Sequence, residues 1–233
     1  MGIFDRTISL VGEENFNILK NKKVIVFGCG GVGGYVVEML ARSGLQNLTI
    51  VDFDIVNETN INRQIIATNN TIGKYKVDCF KERVFSINPN CNLLAIKDKL
   101  LPDNIEKFNL SSYDFVVDCI DMVTSKVELI NYCYQNNIKI ISSMGTGNRS
   151  QVPQLEITDI FKTENDGLAK ILRKLLREKG VKSATVIYSK QNAKKQKVVA
   201  SIAYYPASCG IMISAYVINQ FLKEGEKNGI IKW

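Results

Sequence analysis

The chemistry-bearing residues of this 233-residue chain are a glycine-rich run followed by acids, then an arginine and lysines. Gly28, Gly30, Gly31 and Gly33 follow the apolar run Val24–Phe27. Glycine lets a backbone turn tightly and lie against a phosphate. Asp52 ends a second apolar run, Leu48–Val51, at the distance where an acid accepts from ribose hydroxyls. By itself this fingerprint points first to NAD or FAD. Asp54, Asn60, Arg63 and then Lys74 and Lys76 change that reading. Hydride transfer has no need of an arginine and a lysine converging on phosphates. Triphosphate chemistry does, because negative charge builds on the oxygens as phosphorus is attacked. Lys76 falls in the first turn of a predicted helix, a poor place for a cation on dipole grounds and a sensible one for gripping an anion. Lys74 competes for the same role on position alone.

A second group of acids lies in Tyr113–Asp121, which reads as a buried strand with carboxylates at its C-terminal end. Open parallel sheets place their ligands at that end. Asp118 reads as a turn former or helix cap, and Asp121 as a functional carboxylate. Histidine is absent, which excludes any mechanism needing an imidazole base or ligand. Cys209, before a final apolar helix, then has no base to activate it and reads as a structural thiol, as do Cys29 and Cys119.

The elements that must position these residues follow from periodicity. Short β-branched runs predict strands at 24–27, 48–51, 92–97, 113–121 and 139–143. Helices are predicted at 9–20, 33–43, 74–87, 124–136 and 211–222, with a further helical piece starting at Leu101. In 168–177, Leu168, Ile171, Leu172, Leu175 and Leu176 share one helical face, with Arg173, Lys174 and Arg177 off it. Two late strands, 185–188 and 197–204, are expected to extend the sheet in antiparallel fashion. The fold class is therefore α/β, a mostly parallel sheet flanked by helices with an antiparallel C-terminal extension, in one domain over 1–233.

Composition narrows the function. The formal charge is +7, and residues 170–197 hold ten Lys or Arg against one acid, Glu178. Such a run is either a solvated face or a track for a nucleic-acid backbone. No apolar stretch is long enough to span a membrane, and the N-terminus lacks a signal-peptide pattern. The six cysteines include no C-x-x-C pair, which argues against a disulfide framework or structural zinc and fits a reducing cytoplasm.

The GxGGxG loop at 28–33, the DxDxVxxxNxxRQ segment at 52–64 and a downstream lysine resemble the ATP-dependent adenylating enzymes related to ubiquitin activators, of the ThiF, MoeB and HesA type. That resemblance implies a Rossmann-like ATP-binding fold using ATP and Mg2+. Family spacing favours Lys76 over Lys74. It also implies that Asp121 helps hold magnesium and that Arg63 and Lys76 act on the phosphates. Gly28, Gly30, Gly31, Gly33, Asp52, Asp54 and Asn60 would then cradle the nucleotide. Arg6, in a lead-in similar to the family's, would reach the phosphates of a neighbouring subunit in a homodimer; its alternative is a surface charge at a mobile terminus. Beyond residue 144 the chain departs from sulfur-carrier activators, lacking their paired C-x-x-C motifs and a long loop bearing a thioester cysteine. There ISSMGTGN and ITDIFKTENDGLAKILRKLLREKG look like the tRNA threonylcarbamoyladenosine dehydratases, a branch of the same superfamily. The implied partners are tRNA, at its modified anticodon loop, and a sulfur-relay protein. Two other functions compete: adenylation of a carrier protein's C-terminal glycine, and a dinucleotide-binding redox or sensory domain.

Overall fold

The computed structural model describes residues 2–227. Its sheet has seven strands in the order β3-β2-β1-β4-β5-β7-β6. These are β1 (Lys23–Phe27), β2 (Asn47–Val51), β3 (Asn92–Ile96), β4 (Phe115–Asp118), β5 (Ile140–Ser143), β6 (Leu155–Asp159) and β7 (Thr185–Ser189). All neighbours are parallel except β6 and β7. The parallel strands are short runs of Val, Ile and Phe because both of their faces are covered. Val24 and Val26 point into one core with Leu48, Ile50 and Val117, whereas Ile25 and Phe27 point into the other with Val51 and Val116.

Helices α3 (Gly33–Arg42), α4 (Lys76–Ile87) and α7 (Tyr204–Lys227) supply the first core. Ile213, Val217 and Phe221 of α7, fully buried at i, i+4 and i+8, are its helical stripe. Helix α5 (Val123–Gln135) and a 3-10 turn at Ile105–Phe108 cover the opposite face. There Phe108 meets Phe27 edge-on at 5.1 Å between ring centroids. Helix α6 (Gly167–Glu178) buries Leu172 and Leu176 beside β7. Among the described residues no helix is long and apolar enough to cross a membrane.

The register brings the strand ends together: Phe27 pairs with both Val51 and Asp118, and Asp118 with Ser142. The loops leaving β1, β2, β4 and β5 therefore share one edge. Chain order reverses between β1 and β4, the point where open α/β sheets open a ligand crevice.

Several local expectations are corrected. Residues 197–204 form no strand. Their backbone is taken by the turn at Asn148, whose N–H donates to the Ala200 carbonyl at 2.7 Å, and Tyr204 already starts α7. Proline is tolerated at position 206 because a first-turn residue needs no intrahelical N–H bond. The strand at 185–189 runs parallel to β5, and the antiparallel partner is β6, 155–159. The helix expected at 9–20 is two, α1 (Asp5–Val11) and α2 (Glu13–Asn21), broken at Gly12, whose φ of 82° no helix accommodates. The piece expected from Leu101 is the 3-10 turn at Ile105–Phe108.

Candidate active site

A cleft of about 740 Å³ opens at the shared strand ends. Its floor is the glycine turn between β1 and α3. At Gly28, φ is 84°, and a Cβ would lie 2.7 Å from the Cys119 carbonyl oxygen. A Cβ at Gly33 would lie 1.8 Å from the Gly28 carbonyl oxygen, so this glycine serves the closure of the turn and not the cleft wall. The N–H groups of Gly30, Gly31 and Val32 find no backbone acceptor among the described residues. They are donors at a helix N-terminus, facing the cleft with the positive end of the α3 dipole. Helix α7 braces the turn from outside. A Cβ on Gly31 would meet Pro206 at 3.3 Å, and one on Gly210 would meet the Val32 carbonyl oxygen at 2.4 Å.

Asp52 ends β2 on the cleft wall. Its Oδ2 accepts from the Cys29 N–H at 2.6 Å and its Oδ1 from the Asp54 N–H at 2.8 Å. Burial pulls this carboxyl above the usual range, with the Lys76 charge and the two amide bonds opposing. Lys76 opens α4 and is 4% exposed. Its Nζ lies 2.6 Å from Asp54 Oδ2 and keeps further N–H donors. Lys74 is exposed and stands off the cleft, which separates the two lysines that position alone left in competition and agrees with the family spacing.

Asn60 ends a 3-10 segment at Glu58–Asn60, and Arg63 comes from the turn that follows it. Asn57 and Asn60 brace each other there: the Asn57 N–H donates to Asn60 Oδ1 at 3.1 Å, and Asn57 Oδ1 accepts from Thr59 N–H at 2.9 Å. Arg63 Nη1 donates to the Thr59 carbonyl and to Asn62 Oδ1, each at 2.8 Å, which fixes the guanidinium at the rim. Asp121 is exposed on the wall just beyond β4. Gly28, Gly30, Gly31, Asp52, Asp54, Asn60, Arg63, Lys76 and Asp121 thus line one cleft; Gly33 and Arg6 do not. Arg6 is exposed on α1.

Three residues were given no role by the sequence, although Gln64 closes the DxDxVxxxNxxRQ segment. Gln64 is 7% exposed and lines the cleft, and its Oε1 has no hydrogen-bond partner among the described residues. Lys126 is wholly buried; its Nζ donates to Asp118 Oδ2 at 2.8 Å, Ser142 Oγ at 3.0 Å and the Ser143 carbonyl at 2.9 Å. Its signal was its place at i, i+3, i+4 and i+7 with Leu129, Ile130 and Cys133, a lysine inside an apolar helical stripe. Asp118 also accepts from the Ile120 N–H at 3.0 Å, so it forms the expected turn and an ion pair besides. Arg149, 5% exposed, anchors the Gly145–Gly147 wall and had no sequence signal.

The thiols are inert by position. Cys209 is buried with its Sγ 3.4 Å from Ser143 Oγ, and burial pushes it up to about 12. Burial likewise raises Cys29 and Cys119 well above the ordinary range.

A glycine turn at a sheet switch point, with an arginine and a buried lysine on the same cleft, offers the donors and positive charge that a nucleotide's phosphates call for. The pattern of the ThiF family matches residues 4–230, and the chain belongs to that family. It is 35% identical over 243 residues to the tRNA threonylcarbamoyladenosine dehydratase of Bacillus subtilis (strain 168), across 96% of each chain. With the dehydratase of Haemophilus influenzae it shares 43% identity over 160 residues, 69% of this chain and 61% of that protein. The crystal structure of E. coli tRNA N6-threonylcarbamoyladenosine dehydratase in complex with ATP superposes with a TM-score of 0.91 at 31% identity, covering 96% of this chain and 95% of the other.

Proposed function

We propose that this protein is an ATP-dependent tRNA threonylcarbamoyladenosine dehydratase, cyclising the threonylcarbamoyl group of the modified adenosine beside the anticodon. The observation that carries the reading is the convergence of the glycine turn, Arg63 and Lys76 on one cleft, in a chain alike over 96% of its length to the Bacillus enzyme.

ATP fits the cleft. The free N–H groups of the glycine turn suit phosphate oxygens, and the orphaned Gln64 Oε1 offers a buried acceptor. Asp52 would hold ribose hydroxyls, while Arg63 and Lys76 would stabilise charge developing on the phosphates. Asn60 would add a side-chain amide near them. Magnesium fits as well: Asp121 lies on the same cleft as the glycine turn, and Mg2+ needs only one or two carboxylates beside phosphates and water. Asp121 would supply that carboxylate, and the ion would neutralise phosphate charge.

A carboxylate is a poor electrophile because oxide is a hopeless leaving group. Transfer of the adenylyl group from ATP to the threonyl carboxylate, with pyrophosphate departing, turns that oxygen into a good leaving group. A neighbouring nucleophile of the same modification then attacks the carbonyl carbon, loses its proton and expels AMP. The modified adenosine ends one water lighter. No enzyme nucleophile is called for, in keeping with six cysteines of which none is a reactive surface thiol.

On the same reading, residues 1–233 form one adenylating domain that works as a cytoplasmic homodimer, with Arg6 reaching a partner's phosphates and a sulfur-relay protein as an auxiliary partner. The rival, activation of a carrier protein's C-terminal glycine, is disfavoured by the missing C-x-x-C pairs. The deciding experiment is mass spectrometry of nucleosides from threonylcarbamoyl-modified tRNA incubated with protein, ATP and magnesium. The expected result is loss of one water's mass from the modified adenosine, only when ATP is present. Unchanged nucleoside with ATP still bound would shift the reading to the carrier-protein activity.

A further inference from the structure

Helix α6 carries Lys170 and Lys174 at i and i+4, one stripe facing solvent while Leu172 and Leu176 face the core. The segment 190–197 adds Lys194, Lys195 and Lys197, all exposed. Cations nearby are already engaged. Lys179 pairs with Glu128 at 2.9 Å and Lys190 with Glu156 at 2.5 Å; Arg173 donates to the Thr163 carbonyl, and Arg177 lies over the Phe161 ring. Lys170, Lys174, Lys194, Lys195 and Lys197 have no ion-pair partner among the described residues. Three lysines within four positions repel one another well inside a Debye length of about 8 Å, a cost that a polyanion removes.

The stripe and the lysine segment are fastened to the cleft. Arg149 Nη1 donates to the Gly145 carbonyl at 2.8 Å, its Nε to the Gln191 carbonyl at 3.0 Å, and its Nη2 lies 3.2 Å from Asp166 Oδ2. The other Asp166 oxygen caps α6 through the Ala169 N–H at 2.8 Å. One buried ion pair therefore joins the cleft wall, the start of α6 and the base of the lysine segment. Further along, the Asn148 carbonyl accepts from the Lys194 N–H at 2.8 Å, and Asn148 Oδ1 from the Ala200 N–H at 2.6 Å. Gly145, Gly147, Leu168 and Val199 from these same pieces line the cleft.

We infer that the α6 stripe and Lys194–Lys197 hold the sugar-phosphate backbone of the RNA whose modified nucleotide enters the cleft. This rests on the reading of the substrate as tRNA. Phosphates lying on these lysines would set the depth and direction of the anticodon loop, and the Arg149–Asp166 pair would keep that surface in fixed register with the glycine turn. The contacts are to backbone and carry no base preference of their own.

The test is fluorescence anisotropy of labelled threonylcarbamoyl-modified tRNA across a salt series, with the full chain and a K194A/K195A/K197A variant. Each lost phosphate contact on a single strand lowers the slope of log affinity against log salt by about 0.7, so the triple variant should lose about 2 from the slope. Stabilisation by ATP on heating should stay as in the parent, since these side chains stand outside the cleft. An unchanged slope and affinity in the variant, with tRNA still bound, would overturn the surface and leave the dehydratase reading intact. Failure of the parent to bind tRNA at any salt would overturn both. Binding to anionic lipid vesicles in place of tRNA would overturn the inference in favour of a membrane surface.

Discussion

Lys76 and Asp54 are joined twice: the Lys76 N–H donates to the Asp54 carbonyl at 3.0 Å, and the Lys76 Nζ lies 2.6 Å from Asp54 Oδ2. The first bond fixes where α4 begins, and the second aims the ammonium along the cleft. Lys76→Ala should reduce single-turnover dehydration on the order of 10²–10³-fold, the usual size for a lost electrostatic donor. Circular dichroism should be unchanged, because Asp54 is half-exposed and can rehydrate. Turnover equal to the parent would remove Lys76 from the chemistry.

Asp121 is the exposed carboxylate on the wall beyond β4. Asp121→Asn should raise the magnesium concentration needed for half-maximal turnover and leave thermal stability in place, since the exposed side chain forms no ion pair among the described residues. Titrating Mg2+ at saturating ATP reads this directly. Identical titration curves for parent and variant would remove the residue from the metal.

Lys126→Met leaves the Asp118 carboxylate buried without its cation, a loss of about 3–5 kcal/mol. For a chain of this size the melting temperature should fall on the order of 10 °C. Adding Asp118→Asn, which keeps an acceptor for the Ile120 N–H while removing the charge, should restore part of the loss. If the double variant melts no higher than the single one, the penalty is not an unpaired charge.

Thiol behaviour gives a pH prediction. Burial raises Cys209 and Cys133 from the ordinary 9.0 to about 12, so both stay protonated in the folded chain at neutral pH. Between those values the folded state binds more protons than the unfolded one. Their contribution to stability is thus complete below about 9 and lost progressively as pH climbs toward 12. Native protein should resist a thiol reagent at pH 8, and Cys209→Ser should keep its turnover. Loss of turnover in a folded Cys209→Ser variant would make the thiol a participant.

The parallel heart of the fold was legible because strands covered on both faces are written as unbroken apolar runs, as at Val24–Phe27 and Leu48–Val51. The cleft was legible where function forces unusual residues: glycines at 28, 30 and 31, and cations at Arg63 and Lys76. The sheet's far edge was not. Residues 197–204 are rich in Val, Ile and Tyr, yet their backbone is claimed by Asn148, a competition no local pattern records. Leu155–Asp159 mixes polar and apolar residues at half-burial and becomes a strand only because β7 offers it an edge. Lys126 stayed hidden because a lysine on a helix ordinarily reads as solvent-facing, and its pairing with Asp118 depends on how α5 packs against the ends of β4 and β5.

The contact of Pro206 and Gly210 with the glycine turn has a consequence for how the protein is made. The turn is translated well before the helix that braces it, which follows every strand of the sheet in chain order. A nascent chain that has not reached α7 therefore carries the glycine turn without the support that shapes it. A message cut short before the Gly210 codon is expected to yield a product that has the glycine motif but lacks the helix bracing it.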